Sequence, residues 1–176
     1  MSLIIRPPLI VYGGCALSGR DTSIRHLLGE EGYAESKQPI DGWLVKFANA
    51  RVVKWRRGSR YVSLAEHART AEGSAEVATL RCVSGIVFVI DSQRAMLSVN
   101  AAALESLRKD LSEIGVDWET VPFVFQLNKR DLPDIVPADE LIRRFGSASD
   151  AFVETVATQG SGVARAFESA THAARS

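Results

Sequence analysis

The stretch Pro122-Phe-Val-Phe-Gln-Leu-Asn128-Lys-Arg-Asp131-Leu-Pro133 decides how this chain folds. Residues 123–127 are too few and too rich in Phe, Val and Leu for a surface helix, and the chain then turns abruptly polar at Asn128. A run that is apolar on both faces reads as an interior strand of a parallel sheet, and its polar end lies on the edge where ligands of α/β proteins bind. Residues 9–12, 86–90 and 152–156 have the same character. Between them, Leu104, Leu107, Leu111 and Ile114 recur at helical spacing, with Glu105 and Lys109 placed as an i,i+4 pair on another face. Helices are also expected over 139–145 and over 163–173, where Val163, Phe167 and Ala170 share a face. Strand alternating with helix predicts a doubly wound α/β sandwich: a mostly parallel sheet, right-handed crossovers and helices on both faces.

Residues 40–64 break this rhythm. Segments 43–47, 51–55 and 60–64 are β-prone and separated by Asn49-Ala50 and Arg57-Gly58-Ser59, which predicts one antiparallel edge. Residues 67–79 are rich in Ala, Thr and Glu around Gly73-Ser74 and read as weak helix or loop. No repeat or linker divides the 176 residues, so the expectation is a single domain over 1–176.

The charge is balanced, 21 Lys+Arg against 21 Asp+Glu, which leaves no global attraction for nucleic acid or an acidic membrane surface. No apolar run approaches the ~20 residues of a membrane span, and neither terminus carries a lipidation motif, so the expectation is a cytoplasmic protein without its own membrane anchor. Cys15 and Cys82 build neither a disulfide framework nor a CxxC metal site.

Three polar segments follow the core strands. After the first comes Gly14-Cys-Ala-Leu-Ser-Gly19-Arg20-Asp21-Thr22. A P-loop needs this glycine spacing so that backbone N–H groups can surround phosphate oxygens, then Lys for the β/γ-phosphates and Ser/Thr for Mg²⁺. Here the frame is kept and both chemical positions differ. Arg20 preserves the charge with a planar fork in place of a compact ammonium. A carboxylate at Asp21, ~4 Å from a phosphate oxygen, costs on the order of 4 kcal/mol at an effective dielectric of ~20, unless it ligates Mg²⁺ directly. A Gly-rich turn that binds nothing is the other reading of the same loop.

After the third core strand, Asn128-Lys129-Arg130-Asp131 has a more specific chemistry. The Asp131 carboxylate can accept the ring N–H and exocyclic amino hydrogens of guanine, a donor pair that adenine lacks. Lys129 can lie along the base and Asn128 can fix the loop. A solvated turn ahead of a helix is the alternative, weakened by its position on the ligand edge. After the last strand, the backbone N–H near Ala157, in Val156-Ala-Thr-Gln-Gly160-Ser-Gly162, can donate to a guanine oxygen.

Together these segments resemble the Ras-like small GTPases, and within them the bacterial MglA-type cell-polarity branch. The likeness is greatest from Gly85 to Gly162, through Gly85-Ile-Val-Phe-Val-Ile-Asp91-Ser92-Gln93, Leu104-Glu-Ser-Leu-Arg108, 122–133 and 157–162. The resemblance implies a Ras-like P-loop fold, GTP or GDP with Mg²⁺, and a protein partner of the Roadblock/LC7 (MglB-like) type. It assigns phosphate binding to Gly14, Gly19, Arg20, Asp21 and Thr22, a metal role to Asp21, guanine selection to Asn128, Lys129 and Asp131, and the loop behind the base to Ala157.

The hydrolytic parts depart from the family. No Gln lies between Trp43 and Ser92, and the aligned stretch lacks Asp-x-x-Gly. His67 or Arg69 falls near the water-positioning site, and a first-switch Thr is not identifiable in 33–42. Losing such groups costs orders of magnitude in hydrolysis. The expectation is a regulatory or interaction module with little hydrolysis, a pseudo-GTPase that binds nucleotide weakly or not at all. The alternative is a slow switch completed by a partner, and adenine-nucleotide binding is a third reading. Arg51, Lys54, Arg56, Arg57 and Arg60, beside Trp55 and Tyr61, read as a solvated hairpin or a docking edge. His26 and His172 lack ligand partners at metal spacing. Cys15 is either a small loop filler or a thiol activated by a helix N-terminus.

Overall fold

The computed structural model describes residues 8–35, 53–57, 60–66, 80–81, 83–147 and 150–175. Six strands form one sheet: β1 (Leu9–Gly14), β2 (Val53–Arg57), β3 (Arg60–Glu66), β4 (Val83–Asp91), β5 (Phe123–Asn128) and β6 (Ala151–Glu154). Their order is β2-β3-β1-β4-β5-β6. The β1–β3, β1–β4, β4–β5 and β5–β6 pairs are parallel, and β2 runs antiparallel to β3. The helices are α1 (Arg20–Glu35), broken at Gly29, α2 (Leu97–Glu113), α3 (Ala138–Phe145) and α4 (Val163–Ala173).

Period-two alternation along the central strands divides the core into two layers. Ile86, Phe88 and Ile90 face one side with Val11, Phe125 and Leu127, against Leu104, Leu107 and Leu111 of α2 and Leu141 and Phe145 of α3. Val87 and Val89 face the other with Ile10, Tyr12 and Val124, against Ile24 of α1 and Ala166, Phe167 and Ala170 of α4. Central strands covered on both faces must be apolar throughout, which is why β4 and β5 read as unbroken apolar runs. Phe125 anchors the first layer. It meets Phe88 edge to face at 6.0 Å and stacks on Phe123 at 5.8 Å and Phe152 at 5.0 Å.

Several expectations shift. The last strand ends at Glu154 rather than 156: Thr155 N–H still reaches the Leu127 carbonyl at 2.8 Å, but Val156 turns away to bridge Ser161. β2, described over 53–57, runs past the 51–55 reading, of which 51 and 52 lie outside the described residues, and β3 extends to Glu66. On α2, Glu105 pairs with Arg108 at 3.3 Å and Lys109 with Glu113 at 3.6 Å, in place of the expected Glu105–Lys109 pair. Arg108 lies over the Trp118 ring at 4.1 Å, and that stacking holds its guanidinium beside Glu105. The β-prone segment 43–47 and the stretch 67–79 lie outside the described residues.

β1 has β3 on one side and β4 on the other, so the chain winds away from it in both directions. The switch point of an open α/β sheet lies there, at the carboxyl ends of the strands. The segments after β1, β4, β5 and β6 all emerge on that edge.

Replacing Phe125 by Ala removes three ring contacts from a site 1% exposed, and should cost ~3–5 kcal/mol in chemical denaturation. A loss below ~1 kcal/mol would show that Phe125 does not anchor this layer.

Candidate functional site

The glycines of the loop after β1 are required by what surrounds them. Gly14 has φ +139°, and a Cβ there would strike the Val89 carbonyl. Gly19 has φ +103°, and a Cβ would occupy the place of the Asn128 carboxamide. Only glycine accepts both the backbone angle and the approach. Leu17, at the tip, is also left-handed at φ +61° and is 88% exposed. A non-glycine residue held there costs ~1–2 kcal/mol of backbone strain.

Asn128 joins this loop to two others. Its Nδ2 donates to the Ser18 carbonyl at 2.7 Å, while its Oδ1 accepts from Thr155 Oγ1 at 3.1 Å and from the Ala157 backbone N–H at 2.9 Å. Its own carbonyl accepts from Ser92 N–H at 3.0 Å. The Ala157 N–H, read from sequence as a donor to a base oxygen, is thus engaged by Asn128. Lys129 has φ +64°, and its Nζ lies 2.6 Å from Asp91 Oδ2. Asp91 is buried, and its second oxygen accepts from Gln93 N–H at 3.1 Å, so the buried charge is paired and hydrogen-bonded. Arg130 closes the turn, with Nε 2.8 Å from Glu154 Oε2 and Nη1 2.7 Å from the Val136 carbonyl. Asp131 is exposed and has no hydrogen-bond or ion-pair partner among the described residues.

On the phosphate side, Arg20, Asp21 and Thr22 open α1, all half-buried. Asp21 Oδ2 lies 4.0 Å from Arg25 Nη2, one turn along the helix. The carboxylate is balanced by its own helix, and its negative charge sits in the first turn beside the loop. His67 and Arg69 lie outside the described residues, as do residues 36–42 of the first-switch stretch. Among the described residues, no group of three or more His, Cys, Asp or Glu could hold a metal ion, and no helix is long and apolar enough to cross a membrane.

Sequence reading missed the supports. Asn100 of α2 donates to the Asp91 carbonyl at 2.8 Å, and its Oδ1 accepts from Asp91 N–H at 3.2 Å and from Cys15 Sγ at 3.3 Å. Gln126 Nε2 donates to Ser23 Oγ at 2.8 Å. A lone Gln inside an apolar strand was the available signal for the second, but nothing in the sequence names its partner.

Three-dimensional comparison finds similarity to the Arl6 BBS3 small GTPase from Trypanosoma brucei with bound nucleotide analogue GppNp. The TM-score is 0.66 over 97% of this chain and 98% of that one, at 19% sequence identity. The fold is therefore that of the Ras-like small GTPases. No protein-family model matches the chain. In sequence, 84 residues are 40% identical to the "Mutual gliding-motility protein MglA" of Myxococcus xanthus (strain DK1622), spanning 48% of this chain and 43% of that protein. The chain thus has a Ras-like small-GTPase fold, and 84 of its residues are similar to MglA. The match spans less than half the length of that relative.

Cys15 is buried beneath this loop, and burial first, then the Asp91 charge, raises its thiol above its ordinary value. The neutral thiol is the folded form. Its contribution to stability is fully present below the unfolded thiol value and fades as pH rises through the folded one. Iodoacetamide at pH 8 should label Cys15, followed by peptide mass, at least ~10-fold more slowly in native than in urea-unfolded protein. Equal rates would mean that the thiol is not held back by burial, and faster native labelling would mean an activated thiol.

Proposed function

We propose that this protein is a regulatory module built on a guanine-nucleotide site whose base half keeps its carboxylate, Asp131, with a weakened phosphate half and little or no GTP hydrolysis. The observation that carries the reading is Asp131. Its motif neighbours Asn128, Lys129 and Arg130 are each consumed by internal bonds, whereas Asp131 stands exposed at the ligand edge. A carboxylate held there by locked neighbours is suited to the two donors on the guanine edge.

The phosphate half is supported less well. Gly14 and Gly19 keep the frame of a cradle, but Asp21 places a negative charge in the first helical turn, where an anion's attraction to the helix N-terminus would be felt. Asp21 is the oxygen donor a Mg²⁺ ion would find beside bound phosphates. Its 4.0 Å approach to Arg25 competes with that role, so any cation would depend chiefly on the nucleotide. The proposed partner is a protein of the Roadblock/LC7 (MglB-like) type, and the proposed setting is cytoplasmic cell-polarity control; both rest on the MglA-type likeness. A second reading, a slow switch completed by such a partner, is favoured by the retained glycines alone.

Calorimetry with guanosine, GDP, GTP and ATP at matched Mg²⁺ separates these readings. Guanosine and GDP should bind with similar affinity, ATP should not bind, and Asp131→Ala should weaken guanine binding by ~100-fold or more, the scale of a lost charge-assisted pair. Asp21→Thr should make GDP bind more tightly than guanosine. ATP binding that survives Asp131→Ala would instead mean an adenine site, and tight GTP with Mg²⁺-dependent turnover would establish the slow switch.

A further inference from the structure

Gln126 is the polar exception in the middle of the sheet. It is 0% exposed on β5, on the face it shares with Val124 and the layer beneath α1 and α4. Its Nε2 donates to Ser23 Oγ at 2.8 Å, and Ser23, also 0% exposed, donates that hydroxyl to the Gly19 carbonyl at 2.8 Å, as a second bond beside the helical one from its own backbone N–H at 2.9 Å. The chain of bonds has a fixed direction. An amide N–H occupies a lone pair of the hydroxyl, so the single hydroxyl proton is directed at Gly19. Gln126 Oε1, in contrast, is buried with no hydrogen-bond partner. Burying an unmet acceptor is costly, and a leucine of similar size would avoid it. Stability alone therefore does not account for glutamine at this position.

We propose that Gln126 is a positioning residue for the Gly-rich loop, acting through Ser23 to fix the peptide between Gly19 and Arg20. Two residues along the same strand, Asn128 holds the preceding carbonyl, that of Ser18, at 2.7 Å. β5 thus controls two consecutive loop carbonyls through Gln126 and Asn128, which stand on one face as i and i+2. In a trans peptide the C=O and N–H point in opposite directions. Fixing the Ser18 and Gly19 carbonyls toward the protein turns the N–H groups of Gly19 and Arg20 the other way, out of the start of α1 and into the loop. These are donors a phosphate would need, and they are set before any ligand arrives. The strand that ends in the base-reading motif also sets the phosphate-facing backbone, so the two halves of the site are linked through β5. The role in ligand binding rests on the guanine-nucleotide reading above; the positioning role does not.

The test compares wild type with Gln126→Leu and Ser23→Ala by residue-resolved amide exchange without nucleotide, using β4 amides as internal reference. Both variants should raise exchange at the Ser23 amide, which donates to the same Gly19 carbonyl at 2.9 Å, by roughly tenfold once corrected for the intrinsic rate of residue 23, the worth of one hydrogen bond, with β4 unchanged. Gln126→Leu should melt no lower than wild type, because it removes the unmet acceptor. Calorimetry then asks for GDP binding weakened roughly tenfold with guanosine binding unchanged. Exchange at residue 23 equal to wild type in both variants overturns the proposal, as does an equal loss of guanosine and GDP affinity. If Gln126→Leu fails to fold, Ser23→Ala alone decides the exchange comparison. If wild type binds neither ligand, the nucleotide reading falls, and exchange at residue 23 still decides whether Gln126 positions the loop.

Discussion

The Asn128 carboxamide is the interaction on which this edge of the molecule depends. One side chain, 2% exposed, donates to the loop after β1 and accepts from a hydroxyl and a backbone N–H after β6. Removing the carboxamide would leave the Ser18 carbonyl and the Ala157 N–H, in two different loops, without this partner at once. The Gly19 backbone must pass where a Cβ would displace that carboxamide, so the second glycine of the loop and the first residue of the guanine motif constrain each other. They are separated by more than a hundred residues in sequence, and the bond that brings them together runs from Asn128 to the carbonyl of Ser18, just before Gly19.

Around this point the charges divide the site. Lys129 and Asp91 neutralise one another at 2.6 Å, and Arg130 is matched by Glu154 at 2.8 Å. Both pairs are closer than the 4.0 Å Asp21–Arg25 approach, whose side chains are 45% and 44% exposed. Contacts of that exposure contribute little and do not pin their groups. The Lys129–Asp91 pair is therefore short and sheltered, whereas the short Arg130–Glu154 pair and the longer Asp21–Arg25 approach both open toward solvent. The zero net charge of the chain says nothing of this; the balance that matters is local.

Much of the fold could be read from the sequence because burial on both faces forces continuous apolar strands. Residues 86–90 and 123–127 fall within β4 and β5, and the helical expectations over 139–145 and 163–173 fall on α3 and α4. What the sequence could not supply was pairing across distance. Glu105 has both Arg108 and Lys109 within reach along α2, and a ring from outside the helix, Trp118, settles which one it meets. The Ser23–Gln126 and Cys15–Asn100 contacts likewise link residues whose proximity only the folded sheet creates. Of the candidate site, the Gly-rich loop and the guanine motif were legible as motifs, whereas the supports that aim them were not. His67 and Arg69, read as possible water-positioning groups, lie outside the described residues.

Those internal bonds bear on how a retained motif should be weighed. Asn128 and Lys129 would be hard to replace even in a protein that had abandoned nucleotide, because the fold uses one to join three loops and the other to balance a buried carboxylate. Their presence is evidence about stability before it is evidence about ligand. The same holds for Gly14 and Gly19, which are fixed by Val89 and Asn128. Asp131 differs in kind: it is exposed, and no bond among the described residues requires a carboxylate there. At the phosphate loop the reverse happened, since Arg20 and Asp21 stand where the family's Lys and Thr would serve a ligand. On the reading proposed above, a site that keeps Asp131, which no bond among the described residues requires, while Arg20 and Asp21 stand in place of the family's Lys and Thr, is one in which the base still has a use and the γ-phosphate does not.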